Sequence, residues 1–313
     1  MEAACGRTFP AGSRDGRLTI SLSPRPLSGP RISVIVPFHN VERYIKVCVD
    51  GLRAQSYPRD RFEIILVDNN STDRSAEIAA QYCDVTLLRQ SEPGSYAARN
   101  MGIRAAHGEI IVTIDPDCRP DEDWLEQVDT SMQDEGCLIL LGHQRHANDS
   151  SGLALLEMYE SEKIAYVTER HEPQLYFGYT SNMAFRRSLF DQLGLFPERV
   201  RGGDTVFVRQ AVDKLGCDIV RYNPNMHTTH LELDSLRAYY NKRLIYGWSN
   251  DRLGEAVPFR PLQNSERWMV FKRLAGKANF HAGKKLAILS LLIPGVVLYE
   301  MGRRSGLLRR DKS

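Results

Sequence analysis

The stretch Glu109-Ile-Ile-Val-Thr-Ile-Asp-Pro-Asp-Cys118 constrains this chain more than any other. A near-continuous aliphatic run belongs in a strand buried on both faces, where an unpaired carboxylate is costly. Asp115 and Asp117 therefore belong at the strand's C-terminal end, in the crevice where open α/β sheets bind ligands. Two carboxylates one residue apart can offer oxygens there to a hard divalent cation, Mg2+ or Mn2+. The plainer alternative is a solvated acidic turn that starts a helix near Asp121-Glu-Asp-Trp124.

The residues before this strand alternate between short apolar runs and helical spacing, which argues a parallel sheet. Ile32-Ser-Val-Ile-Val36 reads as a strand halted by Pro37. Val41 to Gln55 has helical spacing, with Tyr44, Val47, Cys48 and Leu52 on one face. Phe62 to Val67 is a second buried strand, running into the turn and cap cluster Asp68-Asn-Asn-Ser-Thr-Asp73 and a helix to about Tyr82. Val85 to Leu88 is a third strand, and a loop around Gly94 precedes a helix from Tyr96 to Ala106. The first strand is followed by no Gly-x-Gly-x-x-Gly, and the chain has no Gly-Lys-Ser/Thr, so dinucleotide and P-loop readings lose ground.

A length of 313 residues is enough for one large α/β domain with appendages, and 42% hydrophobic and 26% charged residues are ordinary for a globular protein. The net charge of +2 hides an asymmetry: residues 260–313 carry 12 Lys+Arg against 3 Asp+Glu, a net of +9, leaving −7 for the rest. This basic tail contains the apolar run Leu286 to Tyr299, about fourteen residues and short of the ~20 needed to span a bilayer. Lys284, Lys285, Arg303, Arg304, Arg309 and Arg310 flank it. An anionic membrane surface, met through residues 284–310, is thus a better partner than nucleic acid, which is not expected. A helix packed on the main domain with a solvated basic end is the alternative. Six scattered cysteines with no Cys-x-x-Cys read as reduced thiols, not as disulfides or a zinc site. The first 30 residues, rich in Gly, Pro, Ser and Arg, read as a loose leader without a signal peptide. A cytoplasmic protein, peripheral at the inner membrane face, is expected.

Four segments occur in order: Ile32-Ser-Val-Ile-Val-Pro-Phe-His-Asn40, Leu66-Val-Asp-Asn-Asn-Ser-Thr-Asp73, Ala97-Ala-Arg-Asn-Met-Gly102 and Asp115-Pro-Asp117. Together they resemble an inverting family 2 glycosyltransferase over residues 31–235. The resemblance implies a GT-A fold, a Rossmann-like α/β architecture with a mostly parallel sheet flanked by helices. A nucleotide-sugar half at 31–120 and an acceptor half at 121–235 would precede a helical, basic C-terminal extension at 236–313. It implies transfer of a sugar from a nucleotide-sugar donor to a glycan or lipid-linked hydroxyl acceptor, with Mg2+ or Mn2+ as cofactor, in cell-surface glycan or glycolipid synthesis. Pro37, Asn40, Glu42, Asp68 and Asn69 would hold the nucleoside, Arg99 would lie beside the base or diphosphate, Asp115 would face the ribose or donor sugar, and Asp117 would bind the metal. Asn69 departs from the aspartate often found there, and an amide donates as well as accepts.

The second half adds the acceptor side. Gly178 to Arg187 resembles the loop and strand before the family's catalytic acid, and Asn182 and Gly203 would face the acceptor. In Arg201-Gly-Gly-Asp-Thr205, Gly203 takes the place of a usual Glu, and Asp204 keeps the Asp of the catalytic base. Asp204 also suits a helix cap, and both roles are compatible. His230, with His227 second, would reach back to the metal; His-x-x-His without a third ligand is a weak zinc signal. The aromatic and basic run Tyr239 to Trp248 fits an acceptor-cleft lining or, more simply, an amphipathic helix packed on the core. A nucleotidyltransferase would show a Gly-rich phosphate loop near the first strand, where Pro37-Phe-His-Asn40 stands instead. A non-catalytic nucleotide-sugar-binding protein has only the missing Glu in its favour.

Overall fold

A computed structural model of the chain describes residues 29–148, 150–198, 201–251 and 253–310. The expected leader therefore lies almost wholly outside the described residues. β1 (Ile32–Phe38), β2 (Phe62–Asp68), β3 (Thr86–Arg89) and β4 (Ile110–Thr113) form the first half of one sheet. They are parallel, with β1 between β2 and β4, and β3 outside β2. β1 does not stop at Pro37: it pairs on with β2 to Phe38↔Asp68, whereas its pairing with β4 ends at Ile35↔Thr113. The proline thus lies where the ladder on one side has already ended.

α1 (Ile45–Arg53) is shorter than its spacing suggests, and it buries Ile45, Cys48, Val49 and Leu52 while Val47 faces out. α2 (Ser75–Ala79) and α3 (Ser95–Ala105) follow β2 and β3. β5 (Cys118–Pro120) and α4 (Trp124–Ser131) begin the second half. Then come β6 (Ile139–His146), α5 (Ser151–Arg170), β7 (Met183–Arg186), α6 (Arg187–Leu193), α7 (Gly203–Leu215) and β8 (Val220–His230). The complete eight-stranded order is β3-β2-β1-β4-β7-β6-β8-β5. β7 is antiparallel to both neighbours and β5 to β8, so the sheet is mixed, and only its first half is wholly parallel. Two apolar cores lie on its faces, one around Trp124 and α1, the other around Phe185, Phe196 and Phe207. Among the described residues no cysteine forms a disulfide.

The chain continues as α8 (Leu236–Asp251), α9 (Asn264–Lys277) and α10 (Ala282–Arg310). α10 is much longer than the apolar run alone, and its 24 residues Ala282–Ser305 are long and apolar enough to cross a membrane by length and composition. It is nevertheless packed on protein along one side. A methyl added at Gly247 of α8 would meet the Tyr299 carbonyl oxygen at 2.0 Å, and one at Gly302 the Leu244 carbonyl oxygen at 2.1 Å. Only glycines allow two backbones so close. The Tyr240 hydroxyl donates to the Leu291 carbonyl at 2.9 Å on the same seam. The opposite face of α10 is bare, with Leu286 70%, Ile293 61%, Val297 51% and Met301 55% exposed.

Candidate active site

Strand ends build the site. The β4 ladder stops at Thr113, and the chain turns so that the Cys118 N–H donates to the Asp115 carbonyl at 3.0 Å, bringing both carboxylates to the rim of the sheet. β5 then pairs antiparallel with β8 in a register that sets Cys118 opposite His230. That register, fixed by the Leu231 N–H donating to the Asp117 carbonyl at 2.8 Å, carries His230 to Asp117. His230 Nδ1 lies 3.5 Å from an Asp117 carboxylate oxygen, and the nitrogen is buried without a hydrogen-bond partner. Asp117, Cys118 and His230 bring one ligating atom each within 4.8 Å of one another.

These residues fit a divalent cation. An orphaned buried nitrogen facing a carboxylate calls for something between them. Burial and the neighbouring charge of Asp115 push the Asp117 carboxyl up to about 6, and burial with the charge of Lys242 pushes His230 down to about 4. The one is short of positive charge and the other is neutral, as a metal ligand must be. Cys118 is the weak member: burial, with both aspartates nearby, holds its thiol far above the ordinary value, and the thiol donates to Asp117 at 3.6 Å. His227 lies elsewhere, against Arg145 at 2.8 Å and Asp121 at 3.6 Å.

Asp115 is ion-paired to Arg99, a buried residue of α3 whose Nε has no partner. The guanidinium also sits 5.4 Å over the Tyr96 ring, one turn earlier on the same helix. Tyr96 also lies beside Asp204 and favours its charged form, so α3 borders both the first pair of carboxylates and the third. Asp204 is in the first turn of α7, 9% exposed, accepting from the Thr205 N–H at 2.8 Å and the Thr180 N–H at 3.3 Å. Burial raises its carboxyl, against the pull of those donors and of Arg99. A carboxylate so poised can take a proton from a hydroxyl. Tyr96 had no role assigned from the sequence; its place three residues before Arg99 on one helical face was the available signal.

The expected nucleoside side is arranged around two crossed loops. Asn40, at φ 51, accepts from the Thr72 N–H at 2.8 Å, and the Glu42 carboxylate accepts from the Arg74 N–H at 3.2 Å. Asp68 accepts from the Ser71 N–H at 2.9 Å with one oxygen, and its other lies 3.9 Å from Arg89. Pro37 is buried within β1, behind these loops. Asn69 accepts from the Gly94 N–H at 2.7 Å and donates to the carbonyls of Gln90 and Glu92 at 3.1 and 2.7 Å. Both of its amide hydrogens are thereby engaged in fixing the loop before α3, while the oxygen keeps a second lone pair.

The two residues expected on the acceptor side both sit in packed surroundings. Asn182 is 0% exposed, donating to the carbonyls of His143 and Met226 at 2.9 Å and accepting from the Trp124 indole at 2.8 Å. It braces three strands and a helix from inside. Gly203 is packed too closely to touch a substrate through a side chain: a methyl there would lie 2.6 Å from the Pro197 carbonyl oxygen and 3.0 Å from the Tyr96 ring.

Comparison with known proteins finds glycosyltransferases by both sequence and fold. AglE, a glycosyltransferase of Haloferax volcanii, is 31% identical over 194 residues, covering 59% of this chain and 62% of the relative. EpsH, a putative glycosyltransferase of Bacillus subtilis, is 32% identical over 179 residues, 54% of this chain and 51% of the relative. The chain thus spans about half to three fifths of the length of these curated relatives. Its fold is similar to that of the mannosyltransferase PcManGT from Pyrobaculum calidifontis, solved with GDP-Man and Mn2+, at a TM-score of 0.60 and 23% identity over 87% of this chain and 76% of that one. The first 349 residues of Staphylococcus aureus TarS align at a TM-score of 0.50 and 17% identity, over 86% of this chain and 81% of that one. The model of the glycosyl transferase family 2 matches residues 33–194, from β1 through the carboxylate-tipped strand to the loop before α7. With strand-end carboxylates on a GT-A fold and half of its length matched, this chain belongs to glycosyl transferase family 2.

Proposed function

We propose that the protein transfers a sugar from a nucleoside-diphosphate sugar to a hydroxyl acceptor, with inversion, in a catalytic unit of residues 31–235. The observation that carries this is the convergence of Asp115, Asp117 and Asp204 through Arg99 and Tyr96, in a family 2 chain. Arg99 holds Asp115 at the donor side, and Asp204 takes the acceptor proton as the hydroxyl attacks the anomeric carbon from the face opposite the leaving group. One displacement needs no covalent intermediate, in keeping with a site assembled from carboxylates rather than a Ser or Cys nucleophile. Asp117 and His230 would hold Mg2+ or Mn2+, which when bound supplies positive charge toward the departing diphosphate. Relatives such as PcManGT, solved with GDP-Man and Mn2+, support a metal-dependent donor site.

A glycan or lipid-linked acceptor, used in cell-surface polysaccharide or glycolipid synthesis at the cytoplasmic membrane face, fits the tail. Its bare apolar stripe runs between Lys284-Lys285 and Arg303-Arg304, which suits a helix lying in an anionic interface. Calorimetric titration with UDP, GDP and dTDP, each with and without Mn2+, tests the donor reading. Metal-dependent binding of one nucleotide is expected; binding of none would overturn it.

A further inference from the structure

α8 lies beyond the segment matched by the family model, yet it reaches into the site. The Lys242 amino group closes on His230 Nε2, the ring nitrogen opposite the one that faces Asp117. An ammonium only donates, so Nδ1 carries the ring proton in this arrangement, and a metal taken by Nδ1 turns the lysine away from Nε2 and releases it. Its nearest carboxylate is Glu232, 3.9 Å away, and its side chain is 25% exposed. The ammonium is therefore neither locked in a tight ion pair nor free in solvent. Arg243 points the other way, to Glu160 of α5 at 3.2 Å. The position of Lys242 is thus set by a helix keyed to α5 through Arg243 and to α10 through Gly247 and Gly302.

The charges explain why a cation belongs there. Asp115, Asp117 and Asp204 surround the space that a donor diphosphate must enter, and Arg99 is already paired with Asp115. A dianionic leaving group among three carboxylates needs positive charge from a second side, and a lysine ammonium is a compact point charge suited to phosphate oxygens. We propose that Lys242 binds the donor diphosphate, from the side of His230 away from Asp117, and stabilises the nucleoside diphosphate as it departs. This rests on the reading of the chain as a nucleotide-sugar enzyme.

The test compares wild type, Lys242→Met and Lys242→Arg. Calorimetry measures UDP, GDP and dTDP against UMP, GMP and dTMP, and electron paramagnetic resonance measures Mn2+ alone. Lys242→Met should weaken the bound diphosphate about tenfold, the loss of one charge-assisted hydrogen bond, and leave the monophosphate within about twofold. The same change should tighten Mn2+ alone several-fold, because a competing positive charge beside His230 has gone. Lys242→Arg should keep most of the diphosphate affinity. Unchanged diphosphate binding in Lys242→Met would remove this role and leave the donor reading standing. Parallel weakening of diphosphate, monophosphate and Mn2+ would make Lys242 a structural prop and equally overturn it. A wild type that binds no nucleoside diphosphate would bring down the donor reading and this inference together.

Discussion

Asp204 accepts from the Thr205 N–H with one oxygen and from the Thr180 N–H with the other, so an amide in its place keeps the shorter bond and gives up the longer. Asp204→Asn should cut turnover by about 10²–10⁴-fold, the usual share of a general base, with donor affinity nearly unchanged. Calorimetry beside initial rates checks this; lost donor binding in a folded variant would sink the base assignment. Because burial raises the Asp204 carboxyl above its ordinary 3.8, a base at this position would be protonated and inactive below that raised value. The rate should therefore fall on an acid limb lying above pH 3.8. Gly203 carries a second prediction. Restoring the familiar acidic residue as Gly203→Glu forces a side chain against the Pro197 carbonyl and the Tyr96 ring, and should cost about 1–3 kcal/mol by denaturant melts. A stable, faster variant would show that the backbone there yields. The same crowding explains the missing Glu by packing, which removes the one feature that favoured a non-catalytic protein. Asn69 follows a similar logic: the donors needed by two carbonyls select an amide over an aspartate, and no local pattern could have revealed those distant partners.

The aliphatic strands were the most legible elements, since β1, β2 and β4 are buried on both faces and read as unbroken apolar runs. β5 was not, because three residues ending in proline carry no periodicity, and their pairing with β8 is decided across most of the second half. For that reason the sequence could point to Asp117 but not decide between His227 and His230, of which the structure brings His230 to Asp117 and His227 to Asp121. Lys242 sat in a run that looked like a packing helix, and α8 is one, with a single lysine turned to the site. What anchors α8 is an ionic cluster that hydropathy cannot show. Burial would push Glu160 up, but Lys163 and Arg243 beside it, with hydrogen bonds from Lys163 and Tyr239, hold it down at about 2. A depressed carboxyl contributes stability above its unfolded value of 4.5 and loses it as pH falls toward 2. Glu160→Gln should therefore melt below wild type at neutral pH, with the gap closing between about pH 4.5 and 2. A gap constant across that range would mean the cluster contributes nothing through charge.

At the scale of the molecule, α10 joins the tail to the catalytic half without leaving it. Its inner face is fastened to α8 and its outer face is apolar, so spanning a bilayer would require breaking the glycine seam, whereas lying in the interface keeps it. Ile293→Asp with Val297→Asp should weaken binding to anionic liposomes at least about tenfold, by loss of buried apolar area, and leave the melting temperature unchanged. Co-sedimentation checks it, and undiminished binding would refute the interfacial reading. The order of the sheet has one more consequence. β5, which follows directly on Asp117, is an edge strand whose partner is β8, made long after it. On the ribosome β1 to β5 emerge well before β8, so β5 is for that time without its ladder partner and Asp117 without an imidazole beside it. With the metal held as proposed, the nascent chain would complete that site only once His230 is out, and a fragment cut to the matched segment 33–194 would lack both β8 and His230.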